Sequence, residues 1–415
     1  MSGRPGGVYL DLTADVLSAT LDGDAATESL VHVVEPTPRH IPDPESIKRA
    51  VDLLASAQRP LIILGKGAAY AQADEDIRSF IEMTGIPYLP MSMAKGLLPD
   101  NHPQSAAAAR SLVLAQADVV MLIGARLNWL LAHGKGPHWS PTTRFVQVDI
   151  SPTEIDSNRA VAAPVVGDIG SAMSAFLAAL KPGQVKPKRA WLDAIAERKQ
   201  HNVERMAAHL NASPNPMDFY SALHAIRDVL ADKPEIYVVN EGANTLDFGR
   251  DIIDMHQPRK RLDCGTWGVM GIGMGYAIGA AVVSGKPVVA IEGDSAFGFN
   301  GMEIETICRY HLPVVVVVFN NCGIYRGDDV NRSGGADPSP TVLMKNTRYD
   351  KLIEAFDGTG HHVTEPRSLT KALVDALAAR KPTLINCVID PTAGTESGHL
   401  ESLNPQTQVG KETTE

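Results

Sequence analysis

The sequence predicts an α/β protein made of two doubly wound parallel-sheet domains. Three observations carry that reading. Short continuous apolar runs, among them Pro60-Leu-Ile-Ile-Leu64, Asp118-Val-Val-Met-Leu-Ile123 and Leu312 to Phe319, suit strands buried on both faces. Helix-length segments separate the runs, as crossovers between parallel strands require. A lysine- and proline-containing stretch, Lys181 to Lys188, interrupts the alternation and divides it in two.

Taken in order, residues 1–40 are irregular and proline-dotted, with one strand expected at Gly7-Val-Tyr-Leu-Asp-Leu12, and read as a connector. Residues 41–180 form the first α/β unit: a helix after Asp43-Pro44, a strand at Pro60–Leu64, a helix to Met83, an extended segment from Pro87 to Met91, an alanine-rich helix, and strands at Asp118–Ile123 and Arg144–Asp149. Residues 181–216 hold the linker and a helix from Trp191 to Leu210. The second unit, residues 217–392, has strands at Ile236–Val239, Val288–Ile291, Val314–Phe319 and Leu384–Ile389. Residues 393–415 read as a polar, glycine-containing tail with the character of a lid.

Composition narrows the function classes. A chain of 415 residues suggests two to three domains, and 44% apolar residues can fill their cores. A formal charge of −10 argues against nucleic acid as a partner, which requires clustered basic surface. No apolar stretch approaches the roughly 18 to 20 residues that cross a bilayer, and the N-terminus lacks a basic-then-apolar signal, so a soluble cytoplasmic enzyme is expected. Cys264, Cys308, Cys322 and Cys387 form no Cys-x-x-Cys pair, which leaves neither a zinc site nor a disulfide framework indicated.

The chemistry concentrates at two strand ends. Gly293-Asp294-Ser295 closes the run Pro287-Val-Val-Ala-Ile-Glu, and Asn320-Asn321-Cys322-Gly323 closes the next one after a helix-length crossover. Mg²⁺ favours hard oxygen ligands in near-octahedral array and is commonly shared between one carboxylate and phosphate oxygens. Asp294 would supply the carboxylate, Asn321 an amide oxygen and Gly323 a carbonyl, leaving positions for two phosphate oxygens and a water. Cys322, inside that turn, reads as a small packing residue rather than a nucleophile. In the first unit Gly65-Lys66-Gly67 follows the opening strand; without a longer glycine fingerprint, an ordinary turn and a nucleotide site stay equally open.

The paired motifs resemble the thiamin-diphosphate motif, Gly-Asp-Gly followed at this spacing by Asn-Asn, with Ser295 in place of its last glycine. The wider stretch Gly293-Asp-Ser-Ala-Phe-Gly-Phe-Asn-Gly-Met-Glu-Ile-Glu-Thr-Ile-Cys-Arg-Tyr310 is similar to the form carried by oxalyl-CoA decarboxylases and 2-hydroxyacyl-CoA lyases, and the likeness runs from about residue 2 to about residue 408. The resemblance implies thiamin diphosphate and Mg²⁺ as cofactors, with Asn244 and Thr245 on the diphosphate. Met270, within Gly268-Val269-Met270, would be the apolar wedge beneath the bent cofactor, with Ser295, Ala296 and Tyr325 also at the cofactor. Tyr325 and Ser397 would face the reacting group. Arg4, Lys66, Arg126 and Asp149 would hold ADP as an activator, although surface ion pairs also account for Arg4 and Arg126. Arg110, Asn202, Arg250, Glu396 and Ser397 would contact CoA across the surface between the units. The pairing of Ile324-Tyr-Arg-Gly-Asp328 with Gly394-Thr-Glu-Ser-Gly398 favours the decarboxylases, which turn oxalyl-CoA into formyl-CoA and CO₂, over the lyases.

Members of that family carry an N-terminal pyrimidine-binding domain whose glutamate activates the cofactor, and no residue here takes that role; Glu241, Glu303 and Glu305 belong to the diphosphate half. The expectation is a chain that needs such a domain, in cis or as a separate polypeptide, for full activity. A non-catalytic nucleotide- and CoA-binding remnant is the alternative, and a homodimer or homotetramer is implied.

Overall fold

A computed structural model describes residues 3–31, 38–328 and 337–395. The first unit holds a five-stranded sheet of β1 (Pro60–Leu64), β2 (Tyr88–Pro90), β3 (Val119–Ile123), β4 (Arg144–Asp149) and β5 (Ala163–Val166) in the order β2-β1-β3-β4-β5. Every pairing is parallel, with Ile62 opposite Tyr88 on one side and Met121 on the other. The second unit has six parallel strands, β6 (Tyr237–Glu241), β7 (Arg261–Leu262), β8 (Val288–Gly293), β9 (Val314–Asn320), β10 (Thr359–Val363) and β11 (Thr383–Val388), in the order β10-β11-β9-β8-β6-β7.

The central strands β1, β3 and β9 are buried along their whole length because helices cover both faces. On one face of the first sheet Phe80 packs edge-on to Phe176; on the other, Trp139 packs on Phe145 and Trp191 is buried nearby. In each sheet the chain runs from its first strand outward to one edge and then returns to that strand's other side. The strand order therefore reverses between β1 and β3 and between β6 and β8, which are the places where open parallel sheets leave a crevice for ligands.

The joint between the units is polar. The Arg261 guanidinium, fully buried, donates to Asn240 Oδ1 at 2.7 Å and to Ser92 Oγ at 3.2 Å, and pairs with Asp263 at 3.3 Å. Lys95 Nζ donates to the Arg250 carbonyl at 2.7 Å and pairs with Asp100 at 3.0 Å, while Arg259 grips Asp74 with both terminal nitrogens at 2.8 and 2.7 Å.

Two features correct the sequence reading. Gly7–Leu12 is not a strand: no neighbour pairs with it, and Val8 and Tyr9 are each 87% exposed, so its apolar residues have nothing to bury against. Two short helices, Ala14–Ser18 and Gly23–Glu28, follow it. Strands β5, β7 and β10 went unread because edge strands need no continuous apolar run; β10 is Thr-Gly-His-His-Val and β7 has only two residues.

Candidate active site at the second switch point

The reversal between β6 and β8 brings part of the expected cofactor and metal set together, while Gly268, Val269, Met270, Ala296 and Tyr325 do not line the cavity formed there. Asn244, Thr245, Gly293, Asp294, Ser295, Asn321 and Gly323 all line one small cavity, with Phe219 and Phe319 also on its wall. Each arrives from a strand end: Gly293 closes β8, Asn321 follows β9, and Asn244 opens the helix Asn244–Ile252 after β6.

Asp294 is 1% exposed, and its carboxylate accepts from Ser295 N at 2.7 Å and Gly323 N at 3.2 Å. Burial pushes its carboxyl up to about 7, against the opposing pull of backbone N–H groups from Ser295, Cys322, Gly323 and Asn321. A carboxylate so placed is poised for a cation that would restore its charged form. Asn321 Nδ2 donates to the Tyr325 carbonyl at 2.9 Å, which commits the amide nitrogen and leaves its oxygen as the acceptor available for a cation. Gly323 is obligatory there, since a Cβ would lie 2.5 Å from the Arg326 carbonyl oxygen. One carboxylate with neutral oxygens is the donor set of a metal shared with phosphates. Among the described residues no cluster of three or more His, Cys, Asp or Glu side chains offers a metal cage.

Asn244 is buried, donates to the Tyr325 carbonyl at 3.0 Å and accepts from Thr395 N at 3.2 Å. Thr245 Oγ1 donates to the Glu241 carbonyl. Met270 is half-buried, and its thioether receives Ser295 Oγ–H at 3.9 Å. The preceding Gly268 takes a φ of 61°, and Val269 stays 46% exposed. Ala296 is fully buried and Tyr325 half-buried, with its backbone holding both asparagines. Glu396 and Ser397 lie outside the described residues.

Two carboxylates beneath this region escaped the sequence reading as a structural pair. Glu241 accepts from the N–H groups of Gly271, Ile272 and Gly273, and it stands opposite Glu292 across the β6–β8 pair. Glu292 is fully buried, and burial followed by the charge of Glu241 raises its carboxyl well above the usual range. The strand-end position of both was visible in sequence; their adjacency depends on register and was not.

At the first switch point, Lys66, Arg126 and Asp149 stand at the carboxyl ends of β1, β3 and β4. Lys66 is exposed. Arg4 and Arg126 both pair with Glu154, Arg126 at 3.3 Å, which are the surface ion pairs expected as the alternative to a ligand. Asp149 is buried, which raises its carboxyl, and it accepts from Ser151 N at 2.9 Å. Arg126 also donates to Thr266 Oγ1 at 3.4 Å, and Trp129 Nε1 to the Thr266 carbonyl at 3.0 Å, which ties this crevice to the turn leading to Met270.

The residues expected at CoA divide. Arg110 donates to the Leu130 carbonyl at 3.0 Å, its guanidinium pKa lowered by burial and then by the nearby Arg250 charge. Arg250 pairs with Asp247 at 3.3 Å and leaves its buried Nε unpartnered. Asn202, on the long helix Arg189–Leu210, instead lines a separate cleft of about 580 Å³ with Arg198, His201 and Arg205.

Comparison with known proteins accounts for this arrangement. Residues 47–179 match the thiamine pyrophosphate enzyme central domain, and residues 242–387 match the thiamine pyrophosphate enzyme C-terminal TPP binding domain. The chain belongs to the thiamine pyrophosphate enzyme family, and its cofactor-binding half is the unit that carries Asp294. Within that family it is 62% identical over 410 residues to oxalyl-CoA decarboxylase of Escherichia coli strain K12, covering 99% of this chain and 72% of the relative. It is 44% identical over 418 residues to 2-hydroxyacyl-CoA lyase of Arabidopsis thaliana, covering 97% of this chain and 73% of the relative. Human 2-hydroxyacyl-CoA lyase 1 is 39% identical over 407 residues, covering 94% of this chain and 70% of the relative. Among the described residues no helix is long and apolar enough to cross a membrane.

Proposed function

We propose that the chain serves the Mg²⁺- and thiamin-diphosphate-dependent decarboxylation of oxalyl-CoA to formyl-CoA and CO₂. The observation that carries this reading is the single cavity joining Asp294, Asn321 and Gly323 to Asn244 and Thr245, in a chain 62% identical to a decarboxylase of that substrate. Asp294, the Asn321 amide oxygen and the Gly323 carbonyl hold Mg²⁺, and Asn244 and Thr245 hold the diphosphate. Gly268, Val269 and Met270 would support the rings of the cofactor, and Ser295, Ala296 and Tyr325 would also contact it. Thiamin diphosphate, when bound, supplies the electron sink for the pair left by the broken carbon–carbon bond. Tyr325 orients the acyl group, and a dry pocket around it would leave the departing carboxylate poorly solvated.

Lys66, Arg126 and Arg4 would neutralise the diphosphate of ADP, and Asp149 would accept from its ribose hydroxyls. Binding there must draw Arg4 and Arg126 from Glu154. Arg110, Arg250 and Asn202 are assigned to CoA. Exposed Trp267, Phe299 and Met302 near the cofactor turn suit burial in a homo-oligomer.

The test is an assay with thiamin diphosphate and Mg²⁺, run on the chain alone and on the chain with a pyrimidine-binding domain fused before Ser2. CO₂ release from oxalyl-CoA with formyl-CoA as product is expected in at least one form. Cleavage of a 2-hydroxyacyl-CoA to an aldehyde, with oxalyl-CoA untouched, would transfer the chain to the lyases. No turnover of either substrate in either form would leave the non-catalytic alternative.

A further inference from the structure

The helix Gly273–Ser284 begins without a side-chain cap of its own. The backbone N–H groups at such a start need acceptors. They find one on another element: Glu241, 2% exposed at the end of β6, accepts from Gly271 N, from Ile272 N at 3.2 Å and from Gly273 N. The fit leaves no slack, because a Cβ at Gly273 would lie 2.4 Å from Glu241 Oε2 and 2.2 Å from Glu292 Oε1. Gly271 takes a φ of 94°, open to glycine and strained for other residues.

The same residue is tied on its other side to the diphosphate turn. Its carbonyl accepts from Thr245 Oγ1, and Gly242 follows it with a φ of 118°. One side chain and its own carbonyl therefore bridge two parts of the site: the turn of Asn244 and Thr245, and the turn that begins one residue after Met270.

We propose that Glu241 is a positioning residue for thiamin diphosphate, its carboxylate fixing the Gly271–Gly273 turn and with it the place of Met270 relative to the diphosphate residues. This rests on the cofactor reading given above. A carboxylate can accept from all three N–H groups, whereas the carboxamide of Glu241→Gln would turn an N–H₂ toward at least one of them. Losing one charge-assisted hydrogen bond of this kind corresponds to roughly tenfold or more in an equilibrium.

The experiment compares two probes by calorimetry in the presence of Mg²⁺. Inorganic pyrophosphate engages only the diphosphate half, and thiamin diphosphate engages both halves. Glu241→Gln is expected to weaken thiamin diphosphate by about tenfold or more while pyrophosphate affinity stays within about twofold, and amide exchange at 271–273 should rise. Glu241→Asp, which keeps the charge one methylene short, serves if the first variant fails to fold and should show the same selective loss. Equal weakening of both probes would reduce Glu241 to a general structural role and overturn the proposal, as would unchanged affinity for both. A wild-type chain that binds neither probe would overturn the cofactor reading and this proposal with it; a wild-type chain that binds both, with no selective loss in the variants, overturns the positioning role alone.

Discussion

The two sheets open with the same arrangement of four strands and put opposite charges at the reversals of strand order. After β1, at the first reversal of strand order, Gly65 leads to an exposed lysine; after β8, at the second, Gly293 leads to a carboxylate with 1% exposure. A parallel strand opening into a helix at a switch point prepares a crevice and leaves its chemistry unwritten. Burial writes it. The lysine stands in solvent, whereas burial raises the carboxyl of Asp294, and a cation beside it would favour its charged form. The glycines differ in the same sense. A Cβ on Gly65 would sit 2.0 Å from the Gly124 carbonyl oxygen, while on Gly293 the nearest atom would be Thr245 Oγ1 at 3.4 Å, an ordinary contact. The first crevice is closed tightly by backbone, and the second is left open.

The sharpest way to break the contrast is Asp294→Ala. It removes the one formal charge among the proposed metal ligands, and joint binding of Mg²⁺ and thiamin diphosphate should vanish in calorimetry; unchanged affinity would refute the assignment. Next in size is Gly65→Ala, where neither clashing backbone partner can rotate aside. It should cost about 1–3 kcal/mol, read as a lowered urea midpoint, while Gly293→Ala at φ −70° should leave that midpoint nearly unchanged. Equal effects of the two would erase the distinction between a closed and an open crevice. The smallest effect is expected at Lys66. ADP should raise the melting temperature by linkage, and Lys66→Ala should weaken ADP by about 1 kcal/mol, as befits one exposed cation among several. No thermal shift with ADP in the wild-type chain would mean that the first crevice takes no such ligand.

What the sequence disclosed follows from how strongly each feature is written into consecutive residues. The runs at β1, β3, β4, β8, β9 and β11 are apolar because both faces are covered, and Asp294, Asn321 and Gly323 could be found because each directly follows such a run. Edge strands β5, β7 and β10 lacked that signal, and the apolar residues of Gly7–Leu12 imitated it without a partner. Pairings set by register stayed hidden. Glu241 meets Glu292 because β6 lies beside β8, Arg261 meets Asn240 because β7 lies on the other side of β6, and Arg261 meets Ser92 because the two units close on each other. Such contacts join residues up to 169 positions apart, and no local pattern announces them.

Asn244 holds a consequence for the order in which the protein is made. Its amide serves two distant stretches of the chain, donating to the carbonyl of Tyr325, 81 residues further on, and accepting from the N–H of Thr395, 151 residues further on. On the ribosome this asparagine emerges long before either partner exists, and the turn it belongs to must wait, half satisfied, while β8, β9 and β11 are still being synthesised. The cofactor pocket is thus among the last things the growing polypeptide completes. A nascent chain shorter than about 325 residues still lacks the carbonyl to which the Asn244 amide donates.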